Sequence, residues 1–339
     1  MPDAQKHILV IRLSAMGDVA MTVPVLRAFT KQYPLVKITV LTRGFFMPFF
    51  NDIPNVNVFS ADLKGKHKGV LGLYKLSKEL KGLNIDAVAD LHNVLRTNIL
   101  KVFFLGTKFQ QIDKGRSEKK ALISGEIFKQ LKTTHQRYAE VFGALGFSVD
   151  LSKLEFPNRS KLPEQVIQVI DHNTLKWIGI APFAAHEGKM YPLDLMKEVI
   201  KALSKEHQII LFGGGEEETR VLNELEQSYN NVISIAGKLS FKEELDVISN
   251  LDVMLSMDSG NGHLAAMKGV KVVTLWGVTH PYAGFVPFNQ PEDFQLVANR
   301  EAFPRIPTSI YGNKYPEGYE KASASISPKT IIEKIKAII

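Results

Sequence analysis

The sequence of 339 residues contains no cysteine. The protein therefore has no disulfide bonds, no thiolate metal ligands and no thiol nucleophile. No apolar run reaches the roughly 18 residues that a membrane-spanning helix needs, so we expect no segment to cross a bilayer. Residues 1–11 lack the basic start, long apolar stretch and small-residue cleavage site of a secretory signal, and we therefore expect a cytoplasmic protein.

The sequence also has only a small excess of charge of one sign. Its 42 Lys and Arg residues outnumber 35 Asp and Glu residues, which gives a formal net charge of +7 at pH 7. This excess favours an acidic partner, and it is equally consistent with a simple contribution to solubility. Arginine-rich tracts and recognisable nucleic-acid motifs are absent, so we predict that the partner is not a nucleic acid.

Short β-branched runs alternate with longer helical patterns along most of the chain, which is typical of parallel sheets with crossover helices. In the first half the alternation predicts strands at 8–12, 37–41, 56–59, 87–90 and 109–112, with helices that include 23–32 and 138–145. In the second half it predicts strands at 177–181, 208–212, 232–235, 253–256 and 271–275, and helices at 192–204, 216–227, 241–249 and 262–267. The predicted fold class is therefore α/β, with two doubly wound, Rossmann-like domains in tandem.

The alternation pauses between residues 150 and 163, where two prolines and several polar residues predict an interdomain linker. Residues 300–328 are rich in Pro, Gly, Tyr and Ser and are predicted to form a long ordered loop. Pro328 then opens a predicted amphipathic helix, a favourable use of proline in a first turn. The predicted units are a first domain, a second domain and a C-terminal helix, over residues 1–155, 165–325 and 326–339.

The first motif with chemical potential, residues 12–19, leaves the first strand and enters a helix. Ligands of open parallel sheets bind beyond the carboxyl ends of the strands, so this turn is in the right place. Gly17 permits close approach of another molecule, and Asp18 at a helix start is kept ionised and able to act as a base. Asp18 could equally be an ordinary helix-start residue. Because Gly17 is the only glycine of the turn, the dinucleotide-binding fingerprint of dehydrogenases is not present.

The second motif, residues 257–263, again joins a strand to a helix. Its two glycines, Ser259 and His263 lie where a helix N-terminus exposes unpaired amide groups, which is suited to a phosphate or pyrophosphate. Asp258 at the strand end could accept hydrogen bonds from sugar hydroxyls. The alternative is a tight glycine turn with Ser259 as a capping residue, and the convergence of so many features favours the phosphate site.

Three further strand-end turns of the second domain carry residues suited to a nucleotide. Lys189 can place a positive charge on a phosphate, although an isolated loop lysine is usually only solvated. Glycines 213–215 precede three glutamates, one of which could bind ribose hydroxyls or simply favour the helix N-terminus. Residues 276–281 follow the last strong strand. The sequence has no Asp-x-Asp motif, and we predict neither a metal ion nor another cofactor.

Taken together, the motifs resemble glycosyltransferase family 9, the heptosyltransferases of lipopolysaccharide inner-core synthesis. The resemblance is carried by Arg-Leu-Ser-Ala-Met-Gly-Asp (12–18), Lys-Met-Tyr-Pro (189–192), Asp-Ser-Gly-Asn-Gly-His (258–263) and Leu-Trp-Gly-Val-Thr-His-Pro (275–281). It implies a GT-B fold, in which two Rossmann-like domains face a central cleft, and an inverting, metal-independent transfer from ADP-heptose. Three departures are Ser259 in place of the commoner threonine, Tyr191 in place of tryptophan, and the absence of cysteines from residues 300–328.

The resemblance also implies roles for individual residues. Asp18 is similar to the catalytic base of the family. The implied donor-binding residues are Ser14, Gly17, Lys189, Gly214, Glu217, Asp258, Ser259, Gly260 and His263. The register of the ribose-binding glutamate within 216–218 stays open.

The resemblance further implies an anionic, lipid-linked saccharide acceptor presented at the inner membrane surface, with the first domain as its binding domain. Basic residues are the candidate contacts, although any one of them could be a plain surface charge; they are Lys64, Arg96, Arg116 and Lys120. Three other functions remain open at this point: a glycosyltransferase with another donor, a nucleotide-sugar epimerase of the same architecture, and a nucleotide-binding regulatory protein without catalysis. Acceptor-independent release of an epimerised sugar would favour the epimerase.

Overall fold

Parallel strands form two sheets in the computed structural model, which describes residues 6–170 and 174–339. The described chain divides into two units. The first unit extends to Lys114 and resumes over Thr133–Phe156, and the second comprises Gly115–Lys132 and Pro157–Ile339. This division differs from the predicted domain bounds in two respects, because residues 115–132 and the C-terminal helix both group with the second unit.

The first unit contains a parallel sheet in the order β3-β2-β1-β4-β5. Its central strand reads His-Ile-Leu-Val-Ile and is buried along its whole length, as expected of a parallel strand covered on both faces. The strands are β1 (His7–Ile11), β2 (Lys37–Thr42), β3 (Val56–Ser60), β4 (Ala87–Asp90) and β5 (Lys108–Gln111). The helices in chain order are α1 (Met16–Ala20), α2 (Thr22–Gln32), α3 (Gly69–Lys81), α4 (Leu95–Phe103), α5 (Arg116–Ser124) and α6 (Thr134–Leu145), of which α5 belongs to the second unit.

The second unit contains a parallel sheet in the order β11-β10-β9-β6-β7-β8. Its strands are β6 (Trp177–Ala181), β7 (Gln208–Leu211), β8 (Val232–Ser234), β9 (Val253–Met257), β10 (Lys271–Trp276) and β11 (Gln295–Val297). Its remaining helices are α7 (Glu164–Ile170), α8 (Leu193–Leu203), α9 (Glu216–Ser228), α10 (Phe241–Ile248), α11 (Gly260–Met267) and α12 (Pro328–Ile338). The terminal helix α12 packs on α8 and adds Ile331 and Ile335 to the core of this unit.

Both sheets reverse their strand order at an equivalent position. In the first unit the reversal lies between β1 and β4, and in the second between β6 and β9. Open parallel sheets bind ligands at such a switch point, beyond the carboxyl ends of the strands. The segments that leave β1, β4, β6 and β9 therefore contain the candidate ligand-binding residues.

The predicted fold class of two Rossmann-like α/β domains is confirmed. The short strand β11 was not predicted, because three residues are too few to show a periodicity. Within the two described ranges, no helix combines the length and the apolar character needed to span a bilayer.

Candidate functional site

The turn after β1 holds a carboxylate in a fixed position. Arg12 Nη2 lies 2.6 Å from Asp18 Oδ2, and Arg12 Nη1 donates a hydrogen bond of 2.7 Å to the Leu91 carbonyl. The Ala15 amide also donates to Asp18 Oδ2, at 3.2 Å. The other carboxylate oxygen, Oδ1, has no partner among the described residues, and the side chain of Asp18 is 30% exposed. Asp18 therefore has one oxygen anchored and one available to a substrate.

A buried tyrosine of α6, Tyr138, contacts both Asp18 and Arg12 of this turn. The Tyr138 hydroxyl donates a hydrogen bond of 3.2 Å to the Asp18 carbonyl, and the Arg12 guanidinium lies 5.9 Å from the ring centroid. Burial raises the pKa of Tyr138, so its hydroxyl stays protonated and remains a donor. The backbone and the side chain of Asp18 are thus held by separate residues.

The turn after β4 adds His92, which sequence analysis did not select. Its backbone amide donates to Asp90 Oδ1 at 2.9 Å, and its side chain is buried. Burial lowers the pKa of His92 to about 3, with further contributions from the positive charges of Arg12 and Lys114. Its Nδ1 atom is buried and has no hydrogen-bond partner among the described residues. The first switch point therefore combines an anchored carboxylate with a neutral imidazole.

A second carboxylate–cation pair lies at the switch point of the other sheet. Lys189 Nζ lies 2.8 Å from Asp258 Oδ2, and the Thr279 hydroxyl donates to the same oxygen at 2.9 Å. The two charged side chains are only 16% and 7% exposed. The structure thus brings together Lys189 and Asp258, which are 69 residues apart in sequence. Lys189 is a cation held in place by an ion pair and not a solvated loop lysine.

Two close backbone approaches hold the Lys189 loop in place. The Val278 amide donates to the Gly188 carbonyl at 2.9 Å, and a Cβ atom on Gly277 would clash with that carbonyl. A Cβ on Gly312 would lie 2.5 Å from Lys189 Cγ, and Gly312 also has a φ of +76°, in the left-handed region. The predicted loop 300–328 therefore contributes directly to the position of Lys189, a contact that no sequence pattern indicates.

The first turn of α11 presents backbone amides at the end of β9. Ser259 precedes the helix, yet its side chain makes no capping hydrogen bond and instead lies 3.1 Å from the Ser256 hydroxyl. The side chain of Ser259 therefore does not cap the helix, in contrast to the alternative interpretation of the sequence. Gly260 begins the helix, and His263 is buried one turn into it. The amides left uncapped are suited to an anion.

The glycine turn after β7 distinguishes between the glutamates of α9. Glu218 Oε2 accepts a hydrogen bond of 2.9 Å from the Gly214 amide, so this carboxylate lies over the turn. Glu217 instead pairs with Arg220 at 2.6 Å, and its side chain is 77% exposed. The hydrogen bond from Arg220 lowers the pKa of Glu217. The structure thus places Glu218 over the Gly214 turn and Glu217 in an ion pair with Arg220.

The last strand-end motif, residues 276–281, contributes to two different groups. Thr279 belongs to the Asp258 pair, whereas His280 packs against Phe128 and Tyr282 with ring centroids 5.0 and 4.4 Å apart. Burial lowers the pKa of His280 to about 4, assisted by the positive charge of Arg300. His280 is therefore a neutral packing residue of the second unit.

The predicted acceptor-binding residues do not form one cluster within a unit. Lys64 is exposed and Arg96 is half-buried in the first unit, whereas Arg116 and Lys120 are exposed on α5 in the second. The segment containing α5 is joined to that unit by a hydrogen bond from the Leu131 amide to the Tyr282 carbonyl. Among the residues that the structure describes, no group of three or more His, Asp or Glu side chains could hold a metal ion.

Comparison with known proteins places these features in a family. A family model described as glycosyltransferase family 9 (heptosyltransferase) matches residues 73–305. The lipopolysaccharide core heptosyltransferase OpsX of Haemophilus influenzae is 26% identical to this chain over 312 residues, which cover 88% of this chain and 87% of the relative.

Solved structures share the fold. The family 9 glycosyltransferase of Veillonella parvula matches with a TM-score of 0.76 at 20% identity, and the match covers 100% of this chain and 98% of that one. The Escherichia coli heptosyltransferase WaaC, solved with ADP-2-deoxy-2-fluoro heptose, matches with a TM-score of 0.66 at 18% identity, covering 98% and 99% of the two chains.

Proposed function

The chain belongs to glycosyltransferase family 9, and we propose that it transfers a heptose from ADP-heptose to the inner core of lipopolysaccharide. The enzyme class, glycosyltransferase, follows from the family. The donor is supported by the Escherichia coli structure with an ADP-heptose analogue. The acceptor is supported by the similarity to the lipopolysaccharide core heptosyltransferase of Haemophilus influenzae.

The proposal depends mainly on one observation at the second switch point. The fixed cation Lys189 pairs with Asp258, directly before the N-terminus of α11, which has no side-chain cap. Lys189 is fixed by Asp258 at 2.8 Å, and the first amides of α11 lack a side-chain cap. A diphosphate needs positive charge and several N–H donors, and this arrangement supplies both. We assign the diphosphate to Lys189, Ser259, Gly260 and His263, and the ribose to Glu218 at the Gly214 turn.

The chemical step that we infer is a single displacement. An acceptor hydroxyl oxygen attacks the anomeric carbon, the bond from that carbon to the β-phosphate oxygen breaks, and the configuration inverts. Asp18 takes the hydroxyl proton through Oδ1, because its Oδ2 is engaged by Arg12 and Ala15. ADP leaves with the electron pair and with increasing negative charge, which Lys189, His263 and the α11 amides stabilise.

We propose that this charge is stabilised by protein groups without a divalent ion. The sequence has no Asp-x-Asp motif, and the proposed site already contains the fixed ammonium group of Lys189. Transfer is therefore expected to continue at an unchanged rate in EDTA. A loss of turnover in EDTA that Mg²⁺ or Mn²⁺ restores would contradict metal independence and leave the donor assignment standing.

The acceptor in this proposal is an anionic saccharide on a lipid at the cytoplasmic face of the inner membrane. Lys64 and Arg96 remain proposed contacts in the first unit, and Arg116 and Lys120 in the second. Positive side chains suit the carboxylates and phosphates of such an acceptor.

The test of the catalytic assignment replaces Asp18 with Asn, which keeps the shape and removes the base. With ADP-heptose and a lipopolysaccharide core acceptor, we expect transfer to fall by about a thousandfold. ADP affinity measured by calorimetry should be unchanged, because Asp18 does not contact the diphosphate in this proposal. Normal turnover by the variant would reject Asp18 as the base.

Asp52→Asn is the matched control, since Asp52 is also an accessible carboxylate paired with a largely inaccessible arginine, Arg27, at 2.5 Å. This variant should transfer as the wild type does. A thermal-shift comparison of ADP, UDP, GDP and CMP tests the nucleotide independently. Selective stabilisation by UDP would redirect the donor assignment.

A further inference from the structure

The outer surfaces of helices α3 and α4, together with the turn that follows α4, carry apolar side chains where a globular protein normally has polar ones. These residues, which we call the α3–α4 face, are between 48% and 85% exposed: Val70, Leu71, Tyr74, Leu95, Val102 and Leu105. A helix on the surface of a sheet normally presents charged or polar residues to solvent. A concentration of exposed apolar side chains indicates an interaction surface.

The six side chains belong to one surface of the first unit. Helices α3 and α4 are the crossovers from β3 to β4 and from β4 to β5, and right-handed connections place them on the same side of the sheet. They pack against each other, with the Tyr74 and Phe103 rings 5.4 Å apart. The exposed side chains of two helices in one layer point away from the sheet in the same direction. The apolar residues therefore lie on the same solvent-facing side of the first unit.

Positive charge is interspersed with these apolar residues. The exposed lysines on the two helices are Lys75, Lys78, Lys81 and Lys101. Helix α4 contains no acidic residue, and the acidic residue of α3, Glu79, is paired with Lys66 at 2.8 Å. Lys78 Nζ lies 5.3 Å from the Tyr74 ring centroid, so apolar and cationic groups alternate at close range.

We propose that the α3–α4 face docks this protein on the surface of an anionic lipid bilayer. Exposed leucines and a tyrosine can enter the headgroup region while adjacent lysines contact lipid phosphates. Helices α3 and α4 both begin at the carboxyl edge of the sheet, the edge that carries Asp18. Docking through this face keeps the Asp18 edge close to a lipid-linked acceptor. The inference rests on the proposed function in taking the acceptor to be membrane-bound.

The charge pattern distinguishes the bilayer from other occupants. In a symmetric contact between two copies, the same face meets itself, so the lysines of one copy would oppose those of the other. A lipid surface instead supplies a continuous layer of negative charge and an apolar interior beneath it. The bilayer therefore satisfies both features of the α3–α4 face at once.

The test measures flotation of the full-length protein with vesicles. We expect binding to vesicles that contain phosphatidylglycerol, weaker binding to phosphatidylcholine alone, and weakening by salt. The double variant Leu71→Glu/Leu95→Glu should lower the bound fraction by at least about tenfold, since it removes apolar insertion and adds negative charge. Leu35→Glu is the control, because Leu35 is 78% exposed in the same unit and lies outside the face. It should bind as the wild type does.

Activity assays separate this proposal from the proposed function. The double variant should use a delipidated, soluble acceptor at the wild-type rate and lose turnover on acceptor embedded in vesicles. Wild-type transfer to the soluble acceptor together with unimpaired vesicle binding by the double variant would overturn the docking face alone. Vesicle binding by a protein that transfers no heptose would overturn the proposed function alone. A wild-type dimer that the double variant dissociates, measured by light scattering, would reassign the face to self-association.

Discussion

At the scale of single residues, the two switch points share one device. In each, one oxygen of a carboxylate in the turn that follows a strand pairs with a fixed cation, Asp18 with Arg12 and Asp258 with Lys189. The exposure of the pairs differs, because Asp258 is nearly inaccessible whereas Asp18 is about one-third exposed. We therefore interpret Asp258 mainly as the group that positions Lys189, and Asp18 as the group that meets substrate.

This interpretation predicts different effects on stability and binding at the second pair. Lys189→Ala leaves the buried carboxylate of Asp258 without a cation, so we expect the free energy of unfolding to fall by about 3 kcal/mol and ADP affinity to fall with it. Lys189→Ala/Asp258→Asn removes the unpaired charge and should recover most of the stability, but not the affinity. Thermal unfolding and calorimetry with ADP measure the two quantities separately.

The control for this pair is Lys336→Ala, which breaks the solvent-exposed pair of Lys336 and Glu206 and should leave the stability nearly unchanged. Wild-type ADP affinity in the double variant would show that Lys189 does not contact the nucleotide.

The residue scale also shows where sequence reasoning reached its limit. Asp18, Asp258 and Ser259 could be selected because each follows a predicted strand, and strand ends of a parallel sheet mark its ligand edge. His92 follows β4 in the same way and could have been found by that rule. Thr279 and Gly312 could not be assigned, because their contacts with Asp258 and Lys189 join residues far apart in sequence.

At the scale of elements, the long segment 300–328 acts as a support for the Lys189 loop. The Ser323 hydroxyl donates to the Met190 carbonyl at 2.7 Å, and the Tyr191 hydroxyl donates to the Ile326 carbonyl at 2.7 Å. The composition, rich in Pro, Gly, Tyr and Ser, predicted a long ordered loop there, since Pro and Gly interrupt helices and strands. Its role at the site required the tertiary structure, because nothing in the loop's composition specifies the strand end on which it packs.

This support predicts that Gly312→Ala displaces Lys189. The new Cβ would lie 2.5 Å from Lys189 Cγ, so we expect ADP affinity to fall by about tenfold, comparable to losing one charge-assisted hydrogen bond. Isothermal calorimetry measures the change. The matched control is Gly318→Ala, because Gly318 also has a positive φ, of +84°, but its Cβ would meet nothing within 4 Å.

Both substitutions strain a left-handed backbone and should lower stability by about 1 kcal/mol. Only the first should lower affinity. Equal losses of affinity in the two variants would attribute the effect to backbone strain and not to Lys189.

At the scale of the whole molecule, two units repeat one strand order, and the proposed chemistry is divided between them. Periodicity predicted both sheets, since buried parallel strands are short apolar runs bounded by helices. It did not predict that residues 115–132 group with the second unit, because a contact of that kind leaves no periodic signal. The proposed nucleotide ligands all belong to the second unit, and the proposed base belongs to the first.

Hydrogen exchange can test directly which unit binds the nucleotide and which contacts the rest of the donor. ADP should slow exchange of the amides at 259–263, at Gly214 and in the Lys189 loop, because those N–H groups or their neighbours would bind the diphosphate and ribose.

ADP-heptose should add protection in the turn 12–18, where Ser14 and Gly17 were predicted to contact the donor. The inert Asp18→Asn variant allows the intact donor to be used. Strand β3, at the edge of the first sheet and separated from β1 by β2, serves as the internal reference. Protection by ADP confined to the first unit would reverse the assignment of the two domains. If ADP-heptose protected no more than ADP does, Ser14 and Gly17 would lose their donor-binding role while the Lys189 site stood.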